Sequence, residues 1–406
     1  MAVGPATFPE KMLPVSGFKL GTTSAGIKKP GRNDLVLMQL CEGANTAGVF
    51  TKNAFCAAPV QICKKHLSDE SPRFLVTNTG NANAGTGEEG YLDAMAVCEA
   101  VSQETGCHVA SVLPFSTGVI GEKLPVEKIL SAVPDANLSL TENGWDDAAA
   151  GIMTTDTRVK GASRQFECNG HTVTLTGISK GAGMIKPNMA TMLAYVATDA
   201  EVAPELLQAL LTDAVNCSFN RITVDSDTST NDSCILVATG KARVTVSESD
   251  VVLYELFRSE LNAIMQELAH AIVRDGEGAT KFVTITVESA ASEPEALATA
   301  YDIAHSPLVK TALFACDPNW GRILAVVGRV GLENLDLNAL EIYLADVRIV
   351  SNGGRDADYT EASGQAVMDQ EEILIRVVLN RGSYAETVWT TDLSHDYVSI
   401  NADYRS

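Results

Sequence analysis

The sequence predicts an α+β protein, and three observations carry that prediction. Strand-length apolar runs alternate with amphipathic stretches through most of the 406 residues. Near the C-terminal end several strand signals follow one another with no helical signal between them, which argues against a doubly wound parallel sheet. A hydrophobic content of 46% with ordinary charge usage describes a globular chain with material for a sizeable core, not a disordered one. The length allows two or three domains or one large one. No internal repeat or low-complexity linker marks a boundary, so pattern alone leaves the domain division open.

In chain order, Phe74–Val76 reads as a strand entering a Gly/Asn loop at Asn78–Gly90, and Tyr91–Gln103 reads as a helix. Ser111–Phe115 is a second apolar run, entering a small-residue turn at Ser116-Thr117-Gly118. Leu124–Val133 predicts a short helix. His171–Thr176 alternates in the strand manner through Val173 and Leu175. Pro204–Phe219 is helical, with Leu206, Leu207, Leu210, Leu211 and Val215 on one side. The clearest helix is Asp250–Arg274, where Leu253, Leu256, Phe257, Leu261, Ile264, Met265, Leu268 and Ile272 recur at three- and four-residue steps. It stops at Asp275-Gly276. Phe282–Val287, Ile342–Val350, Ile373–Leu379 and Ala385–Trp389 then predict strands.

The charge balance excludes some partners. With 30 basic and 51 acidic side chains the formal net charge is −21, so nucleic acid and anionic membranes repel the chain at long range. No apolar run approaches the length of a membrane span, and Met1–Gly17 has no apolar core of signal-peptide length. The nine cysteines are odd in number and include no Cys-x-x-Cys, so reduced thiols in a cytoplasmic protein are expected.

Several motifs fail on inspection. Gly85-Thr-Gly87-Glu-Glu-Gly90 matches a dinucleotide fingerprint, but its glycines start too far after Val76 and Glu88 and Glu89 would face a pyrophosphate. Asp225–Asp232 begins like a calcium loop, yet Thr230 stands where glycine is required and Leu236 where a bidentate glutamate is. The six histidines show no metal-ligand spacing, and no metal is expected. There is no Gly-x-Ser-x-Gly elbow.

The segment from Ile178 to Thr198 is different. Lys180 with Gly177, Gly181 and Gly183 suggests a flexible loop, Pro187-Asn188 a turn, and then an apolar strand opens with Ala190 and Thr191 at its head. A threonine opening a strand is ordinarily structural. If the preceding peptide bond is cut, however, its hydroxyl gains a neighbouring α-amine of reference pKa about 7.7–8.0. Such an amine can act as general base, so no histidine is required.

Lys180-Gly-Ala-Gly-Met-Ile-Lys-Pro-Asn-Met-Ala-Thr191-Met-Leu closely resembles the self-cleaving segment of the ornithine acetyltransferases, the bifunctional glutamate N-acetyltransferase family. So do Thr77–Gly85, Phe115–Gly121, Gly151–Asp156, Arg274–Lys281 and Asp317–Arg322, in the same order, and the likeness runs from Ser24 to the C-terminus. The resemblance implies a four-layer α/β/β/α sandwich that cuts itself between Ala190 and Thr191. Residues 1–190 would form an α chain and 191–406 a β chain, the two interlocked in one catalytic unit, two of each per assembly. It implies transfer of the acetyl group of N2-acetylornithine to glutamate through an acetyl-Thr191 ester.

By the same resemblance, Thr117 and Gly118 supply the oxyanion hole through a hydroxyl and a backbone N–H. Thr154, Lys180, Thr191, Glu277, Asn401 and Ser406 match the family's substrate contacts. Lys180 suits a substrate carboxylate and Glu277 an ammonium. Ser406 stands where this family more often has threonine. No cofactor is implied, and acetyl-CoA would be a second donor in bifunctional members. An anionic acceptor calls for a locally cationic pocket, for which Lys28, Arg274 and Arg322 are further candidates. The competing reading is an N-terminal-nucleophile amidohydrolase or aminopeptidase, in which water replaces glutamate. A non-catalytic nucleotide-binding protein resting on Gly85–Gly90 is the third.

Overall fold

The computed structural model describes residues 2–28, 31–168, 170–186 and 192–403. Ala190, Thr191 and Ser406 lie outside the described residues. The chain divides into a larger unit, residues 7–220 and 227–272, and a smaller one, residues 1–6, 221–226 and 273–406.

The larger unit begins with β1 (Phe18–Thr23), β2 (Leu35–Leu40), β3 (Asn45–Phe50), α1 (Ala58–Asp69), β4 (Phe74–Asn81), α2 (Gly87–Thr105), β5 (Val112–Val119), α3 (Val126–Leu138) and α4 (Trp145–Gly151). It continues with β6 (Lys160–Cys168), β7 (His171–Lys180), β8 (Leu193–Thr198), β9 (Glu201–Val202), α5 (Pro204–Cys217), β10 (Ser233–Ala238), β11 (Thr245–Val246) and α6 (Val251–Arg274), whose last two residues are counted with the other unit. One sheet has the order β1-β2-β4-β5, a second the order β3-β10-β8-β7-β6. Val36, Met38 and Leu75 from the first share a buried core with Ile178, Tyr195 and Ile235 from the second. The opposite face of the first sheet, through Leu37 and Val76, packs on Val101 of α2 and Val133 of α3. Against the second sheet lie α5, with Leu207 and Leu211 fully buried, and α6, where Leu268 lies 3.1 Å from the point at which a Cβ on Gly177 would stand.

The smaller unit holds β12 (Phe282–Ala290), α7 (Glu293–His305), α8 (Pro307–Phe314), α9 (Trp320–Arg329), β13 (Glu341–Leu344), β14 (Val347–Ser351), β15 (Gly354–Arg355), α10 (Glu361–Met368), β16 (Glu372–Val378), β17 (Tyr384–Thr391) and α11 (His395–Ala402). Its sheet runs β15-β14-β13-β16-β12-β17. The period of two is followed closely. Val283, Ile285 and Val287 enter the core with α7, α8 and α9, while Thr286 bonds Thr387 and Arg376 forks onto Glu288 on the other face. Each of the three larger sheets contains one parallel pair among antiparallel ones (β4–β5, β8–β10, β12–β16), so the fold is mixed α/β.

The structure corrects several sequence expectations. Asn78–Asn81 belongs to β4, not a loop, and Ser116-Thr117-Gly118 belongs to β5, not a turn. Parallel pairing of β4 with β5 overrides the local turn preference of those small residues. Gly177 and Lys180 lie on β7, paired with β8, and not in a flexible loop. Ile342–Val350 is two strands, because Ala345 adopts φ 49° and reverses the chain. Helix α10 separates the C-terminal strands, which the pattern reads as uninterrupted.

Candidate active site

Thr117 pairs with Thr79 across the parallel ladder, and Gly118 with Gly80, where the register shifts. Gly118 has φ 135°, and a Cβ there would stand 2.3 Å from the Gly80 carbonyl carbon, so only glycine permits this approach. Thr117 is buried. Side-chain amides hold the surrounding backbone. Ser116 Oγ donates to Asn78 Oδ1 at 2.5 Å, Asn78 Nδ2 to the Asn81 carbonyl at 2.9 Å, and Asn83 Nδ2 to the Gly90 carbonyl at 2.8 Å. A Cβ on Gly90 would stand 2.4 Å from Asn83 Oδ1. The last glycine of the Gly85–Gly90 run thus makes room for an asparagine.

A second cluster gathers Thr154 and Lys180. Lys180 Nζ donates to Thr154 Oγ1 at 3.4 Å. Beneath them Asp156 is buried, accepting from Thr154 N–H at 2.9 Å, Gly181 N–H at 2.7 Å and Lys160 Nζ at 2.6 Å. Burial alone would raise this carboxyl. The ammonium groups of Lys160 and Lys180 and the hydrogen bonds outweigh it and hold it well below the usual carboxylate range. Asp156 closes the run Gly151–Asp156, but its role as organiser of Thr154 and Gly181 is visible only in three dimensions.

The polar run Thr228–Asp232 leads into β10. Ser233 N–H donates to the Met192 carbonyl at 2.9 Å, and Ser233 pairs with Leu193 in the ladder. Thr228 Oγ1 donates to the Lys186 carbonyl at 3.1 Å. Asn231 Nδ2 donates to the Ala82 carbonyl at 2.6 Å and the Ser116 carbonyl at 2.9 Å. Asp232 is fully buried, and burial pushes its carboxyl well above the usual range against hydrogen bonds from Ser229 and the charge of Lys180. Its Oδ2 has no hydrogen-bond partner among the described residues. From the sequence the run reads as a failed calcium loop or a polar turn with Asx-type hydrogen bonds. Its value lies in long-range contacts that no local spacing encodes.

In the smaller unit Asn401 Nδ2 donates to Glu277 Oε2 at 2.8 Å. Glu277 is buried in the turn after α6, and Asn401 is exposed on α11. Asp392 clamps the turn by accepting from Thr280 N–H at 2.8 Å and Lys281 N–H at 3.0 Å, while Ser394 Oγ donates to the Gly278 carbonyl at 2.6 Å. Among the further cationic candidates, Lys28 lies beside Gly80, with its Cβ 3.1 Å from where a Cβ on that glycine would stand. Arg274 pairs with Glu372 at 2.8 Å and stacks on Phe282, and Arg322 donates to the Leu308 carbonyl at 2.6 Å, so both have structural engagements. Among the described residues no group of His, Cys, Asp and Glu could hold a metal, and no helix is long and apolar enough to cross a membrane.

The model of the ArgJ family matches residues 19–406. The chain is 57% identical over 407 aligned positions to the arginine biosynthesis bifunctional protein ArgJ of Pseudomonas fluorescens (strain Pf0-1), covering 100% of both chains. It is 56% identical to the protein of the same name from Methylococcus capsulatus, over 98% of this chain and 97% of that one. A solved structure of arginine biosynthesis bifunctional protein argJ from Bacillus halodurans aligns with TM-score 0.50 and 37% identity, covering 52% of this chain and 99% of that one. The chain therefore belongs to the ArgJ family and is an acetyltransferase of arginine biosynthesis.

Proposed function

We propose that the enzyme moves the acetyl group of N2-acetylornithine to glutamate through an ester on Thr191, after cutting itself between Ala190 and Thr191. The observation that carries this reading is the pair of coverages for the Bacillus halodurans chain. That chain is 99% matched yet spans 52% of this one, as expected of a relative present as two pieces. The cut would give an α chain, 1–190, and a β chain, 191–406, with two of each in the assembly. The four-layer α/β/β/α arrangement draws support from the shared core of the two sheets and the helices on their other faces.

In the first step the Thr191 hydroxyl attacks the Ala190 carbonyl. The peptide nitrogen leaves as the new α-amine, and water then hydrolyses the Ala190 ester. In turnover that amine takes the hydroxyl proton as Thr191 attacks the acetyl carbonyl. The proton passes to the departing ornithine amine. Glutamate's amine attacks the acetyl ester and regenerates the hydroxyl. Each attack builds charge on an oxygen, which the Thr117 hydroxyl and Gly118 N–H would stabilise, at a typical worth of about 3–4 kcal/mol per donor. Thr154 and Lys180 would receive a substrate carboxylate, with Asp156 fixing Thr154 and the end of β7. Glu277 and Asn401 would receive an ammonium, joined by Ser406. No cofactor enters this cycle. Acetyl-CoA as a second donor is supported by the word bifunctional in the relatives' names. A cytoplasmic location is supported by the nine free cysteines.

Mass spectrometry of the purified protein, with and without N-acetylornithine, tests the reading. Two chains divided before Thr191 and an acetyl adduct on the peptide beginning there are expected. An intact chain that still forms acetylglutamate would refute it, and acetate release without acetylglutamate would point to a hydrolase.

A further inference from the structure

We propose that Asn231 is a positioning residue that locks the oxyanion-hole strand β5 to the head of β10, the ladder partner of the strand β8 that follows the nucleophile in sequence; this rests on the acetyl-Thr191 reading and deepens it. Asn231 stands two residues before Ser233, as Thr191 stands two before Leu193, and Ser233 and Leu193 are ladder partners. Leu193, Tyr195 and Ile235 face the core between the two sheets, so the odd-numbered positions of β8 and β10 look toward β4 and β5. Asn231 shares that parity, and its amide reaches the first sheet.

The geometry of that amide is the core of the argument. Both carbonyls it serves, Ala82 and Ser116, belong to the segments that frame the oxyanion hole. The Ser116 carbonyl shares a peptide plane with Thr117 N–H. Fixing this oxygen fixes the plane from which Thr117 continues along β5, so the next peptide, whose N–H belongs to Gly118, is left only the two dihedrals of Thr117. Gly118 carries φ 135°, where no Cβ restricts the backbone, so an external tether has to do so. Asn231 is itself held. Its Oδ1 accepts from Thr230 Oγ1 at 2.6 Å, its N–H donates to Ser229 Oγ at 3.2 Å, and the residue is buried. Among the described residues Asn231 bonds to neither the Thr154–Lys180 pair nor the Glu277–Asn401 pair, so it should govern how well the transition-state oxyanion is met and not how tightly the amino acids bind.

Full-length Asn231→Ala and Asn231→Asp test the proposal. With the oxyanion donors misplaced, kcat for acetyl transfer should fall about 10²-fold in Asn231→Ala, with KM for both substrates within about twofold of the parent. Cleavage before Thr191, followed on a denaturing gel, should slow in parallel. Relative to the parent at the same pH, Asn231→Asp should close part of the gap toward acid pH as its carboxyl becomes protonated and recovers one donor, while Asn231→Ala should not. That pH profile is not expected of a residue that merely fills space. Parent-like kcat in Asn231→Ala, a KM rise without loss of kcat, or loss of the folded state in both variants would each overturn the proposal. A folded Asn231→Ala that stays uncut for days would support it. If the parent forms no acetyl-Thr191 adduct, the underlying reading fails; if Asn231→Ala forms the adduct at the parent's rate, only the role of Asn231 fails.

Discussion

The phenolic oxygen of Tyr195 lies 2.7 Å from Thr77 Oγ1, a buried hydrogen bond joining the second sheet of the larger unit to the first. Tyr195 also meets the ring of Phe115 edge-on, with centroids 5.3 Å apart. The strand β8 is thereby tied to β4 and β5.

Tyr195→Phe keeps the ring contact and strands the Thr77 hydroxyl. The expected cost is about 1–3 kcal/mol, the usual penalty for an unsatisfied buried polar group. Urea unfolding should show a lower midpoint with an unchanged slope; an unchanged midpoint would mean that the bond contributes nothing.

Thr191→Ala removes the proposed nucleophile of both cleavage and turnover. It should run as one uncut chain and form no acetylglutamate, a loss of at least about 10⁴-fold by analogy with other removed nucleophiles. A cut, active variant on a denaturing gel and in a coupled assay would refute the assignment.

Asp156→Asn leaves Lys160 buried without its counter-charge, which should cost about 3–5 kcal/mol. The pH dependence has a definite sign. The folded carboxyl is held below its unfolded value, so its contribution is complete above that value, near pH 4, and is lost as the medium becomes more acidic. Comparing urea midpoints at pH 7 and pH 3 checks this: the parent should lose stability between them more steeply than the variant.

Asp232→Asn should behave in the opposite sense. Burial raises the folded carboxyl, so above about pH 4 the folded chain holds a proton that the unfolded chain releases, and stability falls as pH rises. An amide removes that dependence. The variant should gain on the parent progressively from pH 4 to pH 8, and parallel stability curves would contradict it.

Glu277→Gln keeps an acceptor for Asn401 but removes the charge offered to a substrate ammonium. A lost charge-assisted bond of about 1.5–3 kcal/mol predicts a KM for N-acetylornithine raised by about 10- to 150-fold. Initial-rate kinetics measures it; a parent-like KM would remove Glu277 from the binding role.

Long regular elements were the most legible in the sequence. The stripe Leu253, Phe257, Leu261, Ile264, Met265, Leu268 and Ile272 is buried as its spacing requires, Leu256 only partly so, Phe282–Val287 lies within β12, and β16 covers the predicted strand up to Val378, one residue short of Leu379. Thr117 and Gly118 could be named from resemblance but not located. Their small-residue run reads as a turn, and only the partner strand β4 makes it extended. Asp156, Asn231 and Asp232 escaped for a different reason. Their partners Gly181, Ser116 and Thr51, whose N–H donates to the Asp232 carbonyl, are distant in sequence, and nothing in local spacing records such closures.

The bonds Lys180–Thr154 and Glu277–Asn401 have a bearing on affinity. Each ionic head rests on a neutral neighbour instead of wandering in solvent, so a ligand arriving at either meets a side chain whose rotamers are already narrowed. Much of the ordering entropy that association would otherwise cost has been incurred during folding. The proposed zwitterionic substrates offer few atoms with which to offset such a cost, so this prior ordering favours their binding.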